Sequence, residues 1–242
     1  MLVFTLLAIL ALLIIAAVFC AAETAMLSAS KARLYQKARE GNRQAAQVLE
    51  LLNVVRREDF VPLAHQAMAF VDMEIPTGKG AGQVMLAPRV QARLVQDLAV
   101  QKTDKVLEIG TGTGFTTALL AHQAAQVLSY EIDAELARQA TANLHKAGVH
   151  NAKVRHADGS QGAAGEGPFD AILLGGSVAE VPQVLLQQLA VGGRLIAITG
   201  EEPMMRATLI TRTGPGSYVT AQPWDTNAPR LVGFAEPSAF RF

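Results

Sequence analysis

The stretch "KVLEIGTGTGFTTALLA", residues 105–121, decides the fold. An apolar run ends at a loop in which Gly110, Gly112 and Gly114 alternate with other residues, and a helical pattern follows. Glycines let a backbone turn tightly and approach a ligand closely. A dinucleotide fingerprint would need a glycine in place of Phe115, and a P-loop would need Gly-Lys-Ser or Gly-Lys-Thr. The loop therefore predicts a nucleoside ligand without a pyrophosphate group.

Strand patterns and helix patterns alternate from this stretch onward. Such alternation predicts parallel strands joined by right-handed helical crossovers. A turn at "GPG", residues 214–216, predicts an antiparallel hairpin at the edge. The predicted fold class is therefore α/β and Rossmann-like, with a mostly parallel seven-stranded sheet. The predicted strands lie within 105–110, 125–132, 152–158, 169–176 and 194–200, the hairpin within 205–224, and the helices within 115–124, 133–148 and 178–193.

Acidic residues follow the next two predicted strands, at the edge where open α/β sheets bind ligands. Glu131 stands near the end of the second strand and is expected to accept hydrogen bonds from ribose hydroxyls. Asp133 competes for that role but is expected to cap the next helix. Asp158 ends the third strand and is expected to bind the amine of adenine, with Gly159 leaving room for the ring. With the glycine loop, this order predicts the S-adenosylmethionine site of a class I methyltransferase.

Composition narrows the possible partners. The chain of 242 residues carries 21 basic and 21 acidic residues, so its formal net charge is zero. A nucleic-acid-binding protein normally carries a basic excess, so no nucleic-acid partner is expected. Cys20 is the single cysteine, which excludes an intrachain disulfide and fits a reducing compartment. The five histidines show no metal-ligand spacing, and no metal site is expected.

An uncharged apolar segment occupies residues 1–22. About 20 apolar residues span a bilayer core as a helix, so the segment is interpreted as a transmembrane helix. A secretory signal peptide would have a basic start and a shorter apolar run, and a core helix is rarely apolar on all sides. Basic residues between 31 and 43 predict that the chain beyond the helix lies in the cytoplasm. They form either a solvated helix face or a contact with anionic lipid headgroups.

The patterns divide the chain into a transmembrane helix over 1–22, a basic juxtamembrane helical linker over 23–53 and a methyltransferase domain over 54–242. The stretch "FCAAETAMLSASKARLYQKAREGNRQA", residues 19–45, resembles the opening of the membrane domain in hemolysin-related, CorC-like magnesium and cobalt efflux proteins. There, a first membrane helix runs into a basic helix. No other apolar run in this chain approaches bilayer length, so the resemblance implies a membrane anchor and not a transporter.

Several segments between residues 56 and 234 carry a second resemblance: "RREDFVP", "GQVMLAP", "VLEIGTGTGFTTALLA", "YEID", "ADG", "FDAILLGG", "VPQVLLQQLAVGGRLIAITG" and "APRLVGF". In this order they resemble the protein-L-isoaspartate O-methyltransferase family. The resemblance implies a repair enzyme that passes a methyl group from S-adenosylmethionine to isoaspartyl residues of a protein or peptide. It implies that the glycine loop lines the methionine end of the cofactor. The implied cofactor-binding residues are Glu108, Gly110, Thr111, Gly112, Gly114, Glu131, Ile132, Asp158 and Gly159.

The loop over 82–88 departs from the family pattern. Members of the family carry a sequence like "GQTISQP", whereas this chain has "GQVMLAP". Leu86 stands in the position of the family serine, beside the acceptor, and Val84 replaces the threonine. Neither side chain can donate a hydrogen bond, so weak or altered isoaspartyl methylation is expected. The positions that the family implies for catalysis are Gln83, Leu86 and Pro88.

A carboxylate acceptor needs no general base, because it is already ionised at pH 7 and attacks an activated methyl donor. Alignment of the two groups and exclusion of water are then the main tasks of the protein. Three other hypotheses stay open. They are a methyltransferase with a small-molecule acceptor, a cofactor-binding module without turnover, and a nicotinamide oxidoreductase, against which Phe115 argues.

Overall fold

The computed structural model describes residues 54–236, except Lys79 and Ala81, together with Gln36 and Arg39. The predicted transmembrane helix and nearly all of the predicted linker lie outside these residues. Within the described part of the chain, no helix has the length and apolar character needed to cross a bilayer. The structure therefore describes most of the predicted methyltransferase domain and leaves the N-terminal anchor as a prediction.

Short 3₁₀ helices precede an alternation of strands and α-helices. The 3₁₀ helices are η1, Arg57–Phe60, and η2, Leu63–Met68. The strands are β1, Ile75–Pro76; β2, Val84–Met85; β3, Lys105–Ile109; β4, Gln126–Glu131; β5, Ala152–His156; β6, Phe169–Val178; β7, Leu189–Glu201; β8, Met204–Gly214; and β9, Ser217–Asp225. The α-helices are α1, Pro88–Leu98; α2, Phe115–Gln123; α3, Ala134–Lys146; and α4, Gln183–Gln187.

The main sheet confirms the predicted topology. Its seven strands lie in the order β5-β4-β3-β6-β7-β8-β9. The strands from β5 to β7 pair in parallel, and β8 and β9 add the antiparallel hairpin at one edge. The chain moves outward from β3 to β4 and β5, then returns to the other side of β3 as β6. The carboxyl end of β3 is therefore a topological switch point, where such sheets bind ligands.

The central strand β3 is covered on both faces. Val106 belongs to one hydrophobic cluster, with Leu94 and Leu119 of the neighbouring helices. Leu107 belongs to a second cluster, with Leu185 of α4. Alternate residues of a strand point to opposite faces, so a strand buried on both faces reads as a continuous apolar run. This explains why the adjacent residues Val106 and Leu107 are both apolar, although the strand also carries Lys105 and the buried Glu108.

The helix predicted over 178–193 is mostly wrong. α4 spans only Gln183–Gln187, and β7 begins at Leu189. A proline at position 182 disfavours helical backbone in the residue before it, which limits the start of α4. Gly193, the last residue of that predicted range, lies inside β7, where an added Cβ would be 3.0 Å from the carbonyl oxygen of Phe169. The glycine permits close strand pairing there and does not end a helix.

The helix α1, Pro88–Leu98, was not predicted. It begins with proline at its first position, where the missing N–H is no loss. By contrast, the predicted cap of α3 is confirmed. Asp133 Oδ1 accepts from the backbone N–H groups of Glu135 and Leu136 at 2.9 Å each. Gly148, the last residue of the range predicted for this helix, lies just beyond α3 and has a φ of 71°.

Candidate functional site

A cleft opens at the carboxyl ends of β3 and β4. It contains about 770 Å³ of empty space, part of it continuous with solvent. Its walls come from the loop before α1, the glycine loop, the end of β4, the first turn of α3, the residues that follow β5, the last part of β6 and a late segment around Arg230. The described lining residues are Thr77, Gly82, Gln83, Val84, Leu86, Ile109, Gly110, Gly112, Tyr130, Glu131, Ile132, Leu136, Ala157, Gly159, Gly175, Gly176, Pro229, Arg230, Leu231 and Val232.

The three loop glycines serve different purposes. All have positive φ, at 85° for Gly110, 57° for Gly112 and 94° for Gly114. A Cβ at Gly112 would meet nothing within 4 Å, so the backbone there faces open space in the cleft. A Cβ at Gly114 would instead lie 3.2 Å from the carbonyl oxygen of Ala140 in α3. Gly114 therefore allows two helices to pack closely and does not line the cleft.

Glu131 lies in the cleft wall, as the sequence predicts, and its carboxylate is held in place. Only 6% of the residue is exposed. Oε2 accepts from the backbone N–H of Gly112 at 2.8 Å, and Oε1 accepts from the backbone N–H of Asp133 at 3.0 Å. A carboxylate oxygen has two acceptor sites, so each can still take a ligand hydroxyl. These bonds join the end of β4 to the glycine loop.

Glu108 and Thr111 lie behind the glycine loop and not among the residues that line the cleft. Glu108 is fully buried. Its Oε2 accepts from Ser129 Oγ at 2.6 Å and from Thr117 Oγ1, which also hydrogen-bonds Thr111. Burial raises the pKa of Glu108 to about 7, while the hydroxyl donors act in the opposite direction. Within the described residues, its Oε1 has no hydrogen-bond partner.

Of the three residues predicted for the adenine end, Gly159 and Ile132 line the cleft and Asp158 does not. Gly159 lines the cleft and packs against Ile109, and Ile132 presents a partly exposed side chain to the cleft. Asp158 is exposed at the rim, where its Oδ1 accepts from the backbone N–H of Ser160 at 2.8 Å. Its predicted bond to adenine therefore stays a prediction, for a side chain just outside the wall of the cleft.

The predicted catalytic loop contributes two of its three expected residues to the cleft. Gln83 and Leu86 line it, whereas Pro88 is the first residue of α1 and does not. The amide of Gln83 is already bonded: Nε2 donates to Asp133 Oδ2 at 2.9 Å, and Oε1 accepts from the backbone N–H of Gly80 at 2.8 Å. Gln83 therefore ties this loop to the cap of α3.

A buried arginine that sequence reasoning missed supports the same loop. Arg57 is fully buried, and burial lowers its pKa to about 9. Its guanidinium donates to the backbone oxygen of Leu86 at 2.7 Å, to the backbone oxygen of Ala69 at 2.7 Å and to Gln91 Oε1. Gln91 in turn donates to Thr116 Oγ1 in the first turn of α2 at 2.8 Å. A chain of hydrogen bonds thus links the loop to the helix that follows the glycine loop.

The second missed feature is a segment that we call the strap, residues 228–234. Ser177 at the end of β6 anchors it: its N–H donates to the oxygen of Pro229, and its oxygen accepts from the N–H of Leu231, both at 2.8 Å. Leu231 packs over Gly110, where an added Cβ would be 2.7 Å from Leu231 Cδ2. The sequence feature that could have identified this segment is the arginine within "APRLVGF", which lies beyond the last predicted strand.

Comparison with known proteins agrees with this geometry. A family model described as protein-L-isoaspartate(D-aspartate) O-methyltransferase matches residues 29–226. Protein-L-isoaspartate O-methyltransferase 1 of Marinobacter nauticus is 37% identical over 183 residues, which cover 76% of this chain and 83% of the relative. The protein-L-isoaspartate O-methyltransferase of Koribacter versatilis is 37% identical over 186 residues, which cover 77% of this chain and 82% of the relative.

A solved structure shares the fold. It is a putative protein-L-isoaspartate O-methyltransferase from Plasmodium falciparum, in complex with S-adenosyl-L-homocysteine. The TM-score is 0.68 at 22% sequence identity, over 83% of this chain and 97% of that one. This similarity supports the class I methyltransferase fold, and the match over residues 29–226 decides the family. The chain belongs to the protein-L-isoaspartate(D-aspartate) O-methyltransferase family.

Proposed function

We propose that the protein is an S-adenosylmethionine-dependent carboxyl methyltransferase that acts on isoaspartyl residues of damaged proteins. The observation that carries the proposal is the cleft itself. A glycine loop, a fixed carboxylate and the loop over 82–88 line it together. A cofactor and an acceptor can therefore meet above the carboxyl end of β3.

The described residues fit the parts of S-adenosylmethionine. Glu131 would take the ribose hydroxyls, and Gly110 with Gly112 would leave room for the methionine end. Gly159 and Ile132 would border the adenine, with Asp158 at the rim near its amine. The fit is supported by the open backbone face at Gly112 and by the held carboxylate of Glu131 in the wall.

The sulfonium of the cofactor supplies an activated methyl group. An oxygen of the acceptor carboxylate forms a bond to the methyl carbon as the bond from carbon to sulfur breaks, and the electron pair stays on sulfur. The products are a methyl ester and a thioether, and no proton moves. The apolar side chains of Val84, Leu86 and Leu231 in the wall exclude water from the reacting groups. Alignment and desolvation are therefore the contributions required of this chain.

A direct assay tests this function. The purified full chain is incubated with methyl-labelled S-adenosylmethionine and either an isoaspartyl peptide or the same peptide with a normal aspartyl linkage. We expect base-labile methyl ester from the isoaspartyl peptide alone. Equal labelling of both peptides, or cofactor binding without turnover, would contradict the proposal.

A second candidate is a methyltransferase with a different, small-molecule acceptor. Val84 and Leu86 favour it, because they give the cleft two apolar side chains where the family has hydroxyl groups. A screen of small carboxylic acids with the same labelled donor separates the candidates. Turnover of a small acid well above that of every isoaspartyl peptide would support the second candidate.

We also propose that residues 1–22 anchor the protein in the membrane, with residues 23–53 as a basic linker and the methyltransferase domain in the cytoplasm. The support is the uncharged apolar run of bilayer length and the basic residues that follow it. Carbonate extraction should leave the full chain in the membrane pellet, whereas a chain starting at Asn53 should be released. Proteolysis of the C-terminus from outside intact cells would contradict the orientation.

A further inference from the structure

We infer that Arg230 binds the carboxylate of the acceptor, an inference that rests on the proposed function. Arg230 is among the residues that line the cleft, and its side chain is about three-quarters buried. Of the described residues in the cleft wall, it is the one cation, and Glu131 is the one anion. The cleft therefore carries one charge of each sign, and the negative one belongs to the expected ribose position.

The path of the strap places Arg230 at the acceptor end. Pro229 Cβ would lie 3.4 Å from a Cβ added at Gly82, in the loop over 82–88. At the other end of the strap, an added Cβ at Gly233 would be 2.8 Å from Asp158 Oδ1, near the expected adenine position. The strap thus crosses the whole cleft, and Arg230 follows the residue that meets the loop expected to bind the acceptor.

The other polar side chains near this end are already engaged. Thr77 Oγ1 donates to the backbone oxygen of Gln83 at 3.1 Å. The amide of Gln83 bonds to Asp133 and Gly80, as described above. Val84 and Leu86 have no polar group. The loop therefore offers an incoming carboxylate no donor from a described side chain that is not already in use.

Arg230 keeps donors to spare. A guanidinium has five N–H donors in a planar fork that suits a carboxylate. Nε lies 3.2 Å from Glu236 Oε1, and one terminal nitrogen lies 3.4 Å from Ser177 Oγ. Glu236 is half-exposed, so water can replace it at low cost when a ligand binds. The backbone of Arg230 is also fixed on both sides by the two hydrogen bonds to Ser177, which limits the directions open to the side chain.

The charge also distinguishes substrate from product. An isoaspartyl carboxylate is an anion that Arg230 attracts, whereas its methyl ester is neutral. The same contact therefore favours binding before the reaction and loses strength after it. Arg230 would also offset the repulsion between Glu131 and a second carboxylate in the cleft.

A binding cycle tests the inference without turnover. An isoaspartyl peptide and the same peptide with the free carboxyl replaced by carboxamide are titrated into the full chain saturated with S-adenosyl-L-homocysteine. We expect the parent to prefer the carboxylate by about tenfold or more, as befits a charge-assisted hydrogen bond. Arg230→Met should bring the preference to within about twofold, and Arg230→Lys should fall between the two.

Arg206→Met is the matched control, because Arg206 pairs with Asp225 on the hairpin and does not line the cleft. It should keep the parental preference. Calorimetry with S-adenosyl-L-homocysteine alone separates the two carboxylates that Arg230 could serve. If Arg230→Met weakens that binding and leaves the peptide preference intact, the arginine serves the methionine carboxylate and the inference is wrong.

The outcomes also separate this inference from the proposed function. If the parent turns over the isoaspartyl peptide, and Arg230→Met and Arg230→Lys both keep the parental preference for carboxylate over carboxamide, the role of Arg230 is overturned and the proposed function stands. If the parent binds the isoaspartyl peptide no better than its carboxamide, the proposed role of Arg230 is overturned. This comparison does not require that either variant folds. Absence of methyl ester formation in the parent would instead contradict the function.

Discussion

The two halves of the cleft are built in different ways. The cofactor half consists of Gly110, Gly112, Glu131 and Gly159, which stand at the ends of neighbouring parallel strands. The carboxylate of Glu131 accepts from the backbone N–H groups of Gly112 and Asp133. The acceptor half consists of the loop over 82–88 and the strap, which lie far apart in the sequence. Its geometry depends on buried side chains, above all Arg57. The strand ends therefore shape one half, and long-range side-chain contacts shape the other.

The largest expected effect comes from breaking the acceptor half at Arg57. Arg57→Met leaves three buried acceptors without a donor: the oxygens of Ala69 and Leu86 and the side-chain oxygen of Gln91. At about 1 kcal/mol or more each, the free energy of unfolding should fall by roughly 3 kcal/mol, measured by urea denaturation. Arg56→Met is the control, since that side chain is 72% exposed, and the change should stay within about 0.5 kcal/mol. Equal stability of the two variants would contradict the prediction.

The free energy of unfolding should depend on pH, because Glu108 is buried behind the glycine loop of the cofactor half. The pKa of Glu108 rises from 4.5 to about 7 on folding. Between these values the unfolded chain releases the proton while the folded chain keeps it, so the stability falls as pH rises. The decline should reach roughly 3 kcal/mol by pH 7 and then level off.

Urea denaturation at pH 4.5 and pH 8 measures this decline. Glu108→Gln keeps an oxygen that can accept from Ser129 and Thr117 but cannot ionise, so the variant should lose most of the decline. Glu166→Gln is the control, because Glu166 is partly exposed and its pKa is lowered by Arg155. A decline of equal size in the parent and in Glu108→Gln would show that Glu108 is ionised in the folded protein.

Glu131 tests whether the cofactor half has been assigned correctly. Glu131→Ala removes the expected ribose acceptor and the carboxylate that holds the N–H of Gly112. The dissociation constant for S-adenosylmethionine should rise about tenfold or more, measured by calorimetry. Glu135→Ala, an exposed change on α3, should leave it unaltered. Unaltered affinity in a folded Glu131→Ala protein would place the cofactor elsewhere.

The smallest expected effect concerns turnover and comes from a substitution at Leu86 in the acceptor half. Leu86→Ser restores the hydroxyl of the family pattern, and turnover of an isoaspartyl peptide should rise by up to about tenfold. Leu86→Ala opens the same space without a donor, so it distinguishes a lost hydrogen bond from a narrowed pocket. Rates should be normalised to folded protein, because Leu86 is also part of the core. Equally robust turnover in the parent and in Leu86→Ser would show that the side chain is incidental.

The difference between the halves explains what the sequence could predict. Glu131 and the glycine loop follow strands whose apolar patterns are local, so their positions at the sheet edge could be inferred in advance. Arg57 and Arg230 could not, because their contacts depend on packing between segments far apart in the chain. Glu108 and Gly114 belong to the same local motif as Gly112, yet they face the core and α3. Spacing identifies a motif but does not tell which of its side chains reach the ligand.

The strap has a thermodynamic consequence, because one short segment touches both halves. Pro229 meets the loop at Gly82, Leu231 covers Gly110, and Gly233 lies against Asp158. A ligand that shifts this segment at one end changes the site at the other. Linkage then requires that the factor by which the cofactor alters affinity for the acceptor equals the factor by which the acceptor alters affinity for the cofactor. The cleft is therefore expected to behave as one cooperative unit and not as two independent sites.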